Sequence, residues 1–125
     1  MLMLRQNPHD AYRKVQVNAR ILGSDNKDLV ALCFEQVVSE LGRAIRANEG
    51  GDATNRSEGL TRAIAAITAL EMGLDRSNPV AGALEQLYGA ARETILNCVM
   101  AFDAEALAEV RSDFAEIGAA LSTAS

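Results

Sequence analysis

The stretch "LVALCFEQVVSELGRAI", residues 29–45, decides the fold. Its apolar residues recur at intervals of three and four, which is the period of an α-helix and not the alternation of a strand. Leu29, Cys33, Val37, Leu41 and Ala44 form one row, and Val30, Phe34, Val38 and Ile45 form a second row beside it. Together they make an arc wider than one core contact requires. This helix, expected from about Lys27 to Asn48, is therefore central, or one of its flanks faces something that is not always present. "NEGGD", residues 48–52, supplies its stop.

Four further segments carry the same period. Residues 8–22 open with Asn7 as cap and Pro8 at the first helical position, and align Tyr12, Val15, Ala19 and Leu22. Residues 56–74 align Leu60, Ala63, Ile64, Ile67, Leu70 and Leu74, with Asn55 and Glu58 in the spacing of a capping box. Residues 79–101 repeat the Asn–Pro start at Asn78–Pro79 and align Val80, Leu84, Leu87, Tyr88, Ala91, Ile95, Cys98 and Phe102. Asp103 can cap a last segment whose stripe is Leu107, Val110, Phe114, Ile117 and Leu121, and the tail after it is expected to fray. The connections are short, as between antiparallel neighbours. The expected fold is all-α: an antiparallel up-and-down four-helix bundle with a short additional N-terminal helix. It forms one domain over residues 1–125, of which 1–22 is a mobile or capping segment.

A chain of 125 residues with 49% hydrophobic side chains can bury a core without staples, and 4% aromatics leave that core to Leu, Ile, Val and Ala. Cys33 and Cys98 sit in apolar helical patterns and read as small buried hydrophobes. "MLML" is too short for the core of a secretory signal, and no apolar run reaches membrane-spanning length, so a cytoplasmic location without membrane insertion is expected. The net charge of −5 is uneven. Residues 1–27 hold five basic and two acidic residues, a net of +3; the remaining 98 hold seven and fifteen, a net of −8. An acidic body disfavours nucleic acid as a partner.

No catalytic constellation is visible. His9, the single histidine, stands at the start of the first segment, out of place for a phosphoacceptor partway along a bundle helix. There is no Glu-x-x-His pair for a carboxylate-bridged metal, no Cys-x-x-Cys and no glycine-rich phosphate loop, so neither a metal nor a cofactor is expected. Glu35, Glu40, Glu85 and Glu93 read as solvent-facing charges. Gly82 and Gly89 project away from the inner stripe of the fourth segment, each at a cost of about 1 kcal/mol against alanine, which suggests that something approaches the helix there. A phosphotransfer bundle acting through His9 and a self-assembling structural bundle remain the alternatives from the residues alone.

The order of features resembles one family. "AYRKVQVNA", residues 11–19, resembles the opening of the flagellin-specific export chaperone family (FliS), and "LVALCFEQVVSEL", residues 29–41, resembles its next helix. "AIAAITALEMGLD", residues 63–75, and "LEQLYGAARETILNCVMAFDAEALAEV", residues 84–110, are similar to its later helices. The resemblance, to a divergent member, covers about residues 10–112. It implies a non-enzymatic cytoplasmic chaperone that binds the disordered C-terminal segment of flagellin, prevents its premature polymerisation and helps bring it to the flagellar export gate. The client would wrap the bundle as helical pieces in apolar grooves, joined by an extended piece. Val30, Phe34 and Val38 are the candidate groove residues, Gly82 and Gly89 a candidate track for client backbone, and Tyr12, Val15 and Ala19 a candidate shield that covers apolar surface until the client arrives.

Overall fold

The wide apolar arc becomes a 24-residue helix, α1, spanning Asn26–Glu49. It is followed by α2 (Ala53–Met72), α3 (Ala81–Met100) and α4 (Ala104–Thr123), and the computed structural model describes residues 26–123. The expected N-terminal helix, with Tyr12, Val15, Ala19, Leu22 and His9, lies outside the described residues. Each helix packs on its two neighbours in a ring, α1 on α2 and α4, α3 on α2 and α4, with α1–α2 the closest pair and α3–α4 the loosest. Side-chain pairings fix the directions. Ala44 lies by Gly59 and Asn48 bonds Arg56, while Gly42 lies by Arg111 and Phe34 by Gly118, so α1 runs antiparallel to both α2 and α4. The result is the expected up-and-down four-helix bundle.

The turns show what sets the helix ends. Gly51 takes φ of 72°, a left-handed conformation that favours glycine, and Asp52 N–H then donates to the Ala47 carbonyl at 2.8 Å. Asp52 immediately caps α2, accepting from the Asn55 amide N–H at 3.1 Å and from its side chain at 2.6 Å. This corrects the capping-box reading. Asn55 and Glu58 are inside the helix, where both accept from Arg43 of α1. At the far end α2 stops at Met72, two residues early: Gly73 N–H makes the last helical bond, to the Ala69 carbonyl, Leu74 N–H turns instead to the Glu71 carbonyl at 3.4 Å, and Leu74 becomes a half-buried loop residue. The Asn78–Pro79 start is also corrected. Asn78 holds a turn, its Oδ1 accepting from Val80 N–H at 2.9 Å, so α3 begins at Ala81 and Val80 is left 48% exposed instead of in the core stripe. Asp103 does cap α4, its carboxylate accepting from Ala106 N–H at 3.1 Å.

The first row of α1 is sealed: Leu29, Cys33, Val37, Leu41 and Ala44 are all buried. Cys33, Val37, Leu41 and Ala44 form one core with Leu60, Ala63, Ile67 and Leu70 of α2, Tyr88, Ala91, Ile95 and Cys98 of α3, and Leu107 and Phe114 of α4. Each large side chain so buried stabilises by roughly 1.5–3 kcal/mol. Three aromatic rings bind the layers: Phe34 lies 5.1 Å from Phe114 and 6.1 Å from Tyr88, the latter edge-on. Tyr88 thus completes a contact across the diagonal of the bundle.

Helix separation is set by small residues. A Cβ on Gly59 would fall 2.8 Å from the Glu40 carbonyl oxygen and 3.1 Å from Ala44, so only glycine allows α2 to lie this close to α1. Beside that contact Arg43 bridges Glu58, Asn55 and Glu40. Glu40, expected in solvent, is 8% exposed because it lies under Arg43 and accepts from Gln36 at 3.2 Å.

Two outcomes follow for stability. Gly59→Ala should destabilise by about 1–3 kcal/mol, as overpacking does, in a denaturant titration; wild-type stability would mean the helices can move apart freely. Hydrogen bonds from Asn55 hold the Asp52 carboxyl below its usual range, and those from Arg43, with its charge, do the same for Glu58. A depressed carboxylate contributes stability that is complete above its unfolded pKa and is lost as pH falls through the folded one. The melting temperature should therefore decline as the pH falls below about 5. Arg43→Met should shrink that decline, and an unchanged slope would remove Arg43 from the cause.

Candidate client-binding surface

The second apolar row of α1 is not sealed. Val30, Val38 and Ile45 are half-buried, and Val30 and Val38 border two separate concavities instead of one continuous groove. The first is a cup of about 350 Å³ at the end of the bundle where α1 and α3 begin and α2 and α4 finish. Its wall is Leu29, Val30, Leu70, Leu74, Leu84 and Leu121; Cys33 and Tyr88 lie deeper, and Lys27, Asp75 and Asn78 supply polar groups. A cavity of this size lies at the small end of the range that proteins use for ligands.

The second is a groove of about 320 Å³ between α1 and α4. Ala31, Glu35, Val38 and Ser39 form one bank, and Ala115, Gly118 and Ala119 form the other. Phe34 and Phe114 lie at its floor. A Cβ on Gly118 would stand 3.2 Å from Phe34 Cβ, so this glycine brings α4 down onto α1 and makes the groove shallow and smooth. Phe34, expected as a groove residue, lines the groove at its floor and belongs to the core as well. At 1% exposure it supports the groove from beneath, because α4 closes over it.

Gly82 and Gly89 lie on the exposed outer face of α3, and a Cβ at either would meet nothing within 4 Å among the described residues. The fold itself therefore gives no steric reason for glycine at these positions. The same face ends in Leu96, 48% exposed, and Met100, 88% exposed, with Val99 beside them at 61%. Sequence reading missed these three; the signal was a last turn of the fourth segment that is apolar on its outer side as well as its inner one. It also missed the α4 bank, where Ala115, Gly118 and Ala119 recur at the spacing of a single helix face.

Burial pushes the Cys33 thiol up to about 11 and the Tyr88 phenol up to about 12, so both stay protonated at neutral pH. Among the described residues no group of His, Cys, Asp and Glu is placed to hold a metal, and no helix is long and apolar enough to cross a membrane. What the surface offers is shape and apolar area.

The family model for the flagellar protein FliS matches residues 8–124. The chain is also 30% identical over 113 residues to the flagellar secretion chaperone FliS of Salmonella typhimurium, an alignment covering 88% of this chain and 84% of that one.

Since neither outer glycine meets a neighbour, Gly82→Ala and Gly89→Ala should each stabilise the isolated chain by about 1 kcal/mol, through helix propensity alone. Thermal or denaturant unfolding measures this. A loss of stability at either position would mean that another part of the chain packs against that face.

Proposed function

The chain belongs to the FliS family of flagellar secretion chaperones, and from that premise we propose that its client is flagellin, held through the disordered C-terminal segment. In this reading the chaperone acts in the cytoplasm, keeps flagellin from polymerising early and delivers it toward the export gate. The observation that carries the reading is the pair of apolar concavities on the flanks of α1, each open to solvent among the described residues.

A disordered client loses conformational freedom when it binds, and the cost must be met by apolar burial. A rigid bundle with preformed hollows is suited to this, because a client helix can insert anchors at i, i+3 and i+4 while the chaperone reorganises little. One helical piece of the client occupies the cup, against Val30, Leu74 and Leu84. A second lies in the groove over Val38, Ala115 and Ala119, with Phe34 beneath it. Gly82 and Gly89 let extended client backbone pass closely over α3. The leading segment is the resident substitute: Tyr12, Val15 and Ala19 cover apolar surface until the client displaces them. Three such side chains contribute only a few kcal/mol, within reach of a competing client.

The test uses monomeric flagellin and follows filament growth by light scattering, alongside titration of its C-terminal segment. The full chain should suppress growth, and Val38→Asp should weaken suppression about tenfold or more while the bundle still melts cooperatively. Deletion of residues 1–22 should tighten binding and lower the melting temperature. Growth unaffected by the wild-type chain would refute flagellin as the client, and a deletion that changes neither affinity nor melting would refute the shield.

A further inference from the structure

Arg43, Arg62, Arg76 and Arg92 each pair with a carboxylate. Arg46 of α1 and Arg111 of α4 pair with none among the described residues, yet the two converge. A Cβ on Gly42 would stand 3.1 Å from Arg111 Nε and 3.2 Å from a guanidinium nitrogen of Arg46, so both heads lie over one buried glycine. Arg111 is held there, its Nε donating to the Val38 carbonyl at 3.1 Å. Arg46 reaches back one turn to the same spot, the direction in which helical side chains lean. Two guanidinium groups without a carboxylate make this spot locally positive on an acidic chain.

The spot is one end of the groove between α1 and α4. Gly42 stands one turn beyond Val38, and Arg111 one turn before Ala115, both of which line the groove. Ala31 and Ala119 mark the opposite end. Glu35, the charged residue in the lining, is exposed and lies about 10 Å along α1 from Gly42 at 1.5 Å per residue. The hollow is thus apolar along its floor and carries a pair of cations at one end.

We propose that Arg46 and Arg111 fix the direction of the helix in this groove by holding its chain-terminal carboxylate, so that the client's last helix lies with its C-terminus at the arginines. The inference rests on the reading that the groove holds a client helix, and adds to it which end of that helix lies where. The last carbonyls of a helix have no intrahelical donor, and the macrodipole is negative there. When the helix also ends its chain, the terminal carboxylate joins those carbonyls, and guanidinium groups offer several planar N–H donors that suit such acceptors. Apolar contact with Val38, Ala115 and Ala119 favours neither direction. A reversed helix would bring its positive end against two cations. Both arginines are exposed, so each pair is weak and the preference falls with salt.

The C-terminal segment of flagellin, made with a free terminal carboxylate and as the terminal amide, is titrated into the full chain by fluorescence anisotropy. At about 50 mM NaCl the acid should bind about fivefold tighter, and at about 500 mM that advantage should mostly vanish. Arg46→Gln, which keeps the Arg111 bond to Val38, should remove part of the advantage, and Arg46→Gln with Arg111→Gln all of it, with helicity unchanged. Ala119→Trp, which fills the groove from its exposed bank, should weaken both forms. A nitroxide beside the peptide's C-terminus should broaden the amide resonances of Gly42 and Arg111 and spare Ala31. Equal affinity of acid and amide, both weakened by Ala119→Trp, would overturn the anchor while leaving the groove as a client site; affinities untouched by Ala119→Trp would overturn both. An advantage of the acid that survives in the double variant, or a nitroxide that broadens Ala31 instead, would overturn the proposal as well.

Discussion

Two close approaches of α1 determine the arrangement of the bundle: to α2 at Gly59 and to α4 at Gly118. At Gly59 the separation is so small that a methyl group would strike the Glu40 carbonyl, and at Gly118 it would press on Phe34. With α2 and α4 drawn in at these points, the first apolar row of α1 is sealed and Phe34 is forced inward against Tyr88 and Phe114. The rest of the second row is left at the margins. Val30 borders the cup and Val38 the groove, because two neighbours cannot cover an arc built for three. The surface proposed for the client is thus the remainder of the packing that folds.

That geometry explains which parts were legible in the sequence. The two rows of α1 were, since the period alone separates Leu29, Cys33, Val37, Leu41 and Ala44 from Val30 and Val38, and their burial follows the same division. The fate of Phe34 was not legible. Its depth depends on a glycine 84 positions later, and no local pattern connects the two. The start of α2 was misread for a similar reason. Asp52 and Asn55 are both good capping residues, and Arg43, reaching across from α1, decides between them by engaging Asn55 and Glu58. Glu40 looks like any surface carboxylate until Arg43 folds over it. Val80 failed as a core residue because Asn78 holds a turn, which delays the helix past it.

The polar inventory complements the apolar one. Cys33 and Tyr88, the two buried titratable groups at the cup, are kept protonated by burial, while Lys27 and Asp75 line it from exposed positions. The charged groups that line the hollows, Lys27 and Asp75 at the cup and Glu35 at the groove, are exposed, and the Arg43 cluster holds α1 to α2 away from both.

The central claim is that the incompletely covered flanks of α1 are where the client sits, and amide chemical-shift mapping of the full chain on addition of the C-terminal segment of flagellin tests it most directly. The account predicts that shifts move for residues of the cup, such as Val30 and Leu84, and of the groove, such as Val38 and Ala119, while Arg62 and other residues on the outside of α2 stay still. A client that binds with the cup and groove resonances unmoved would contradict it.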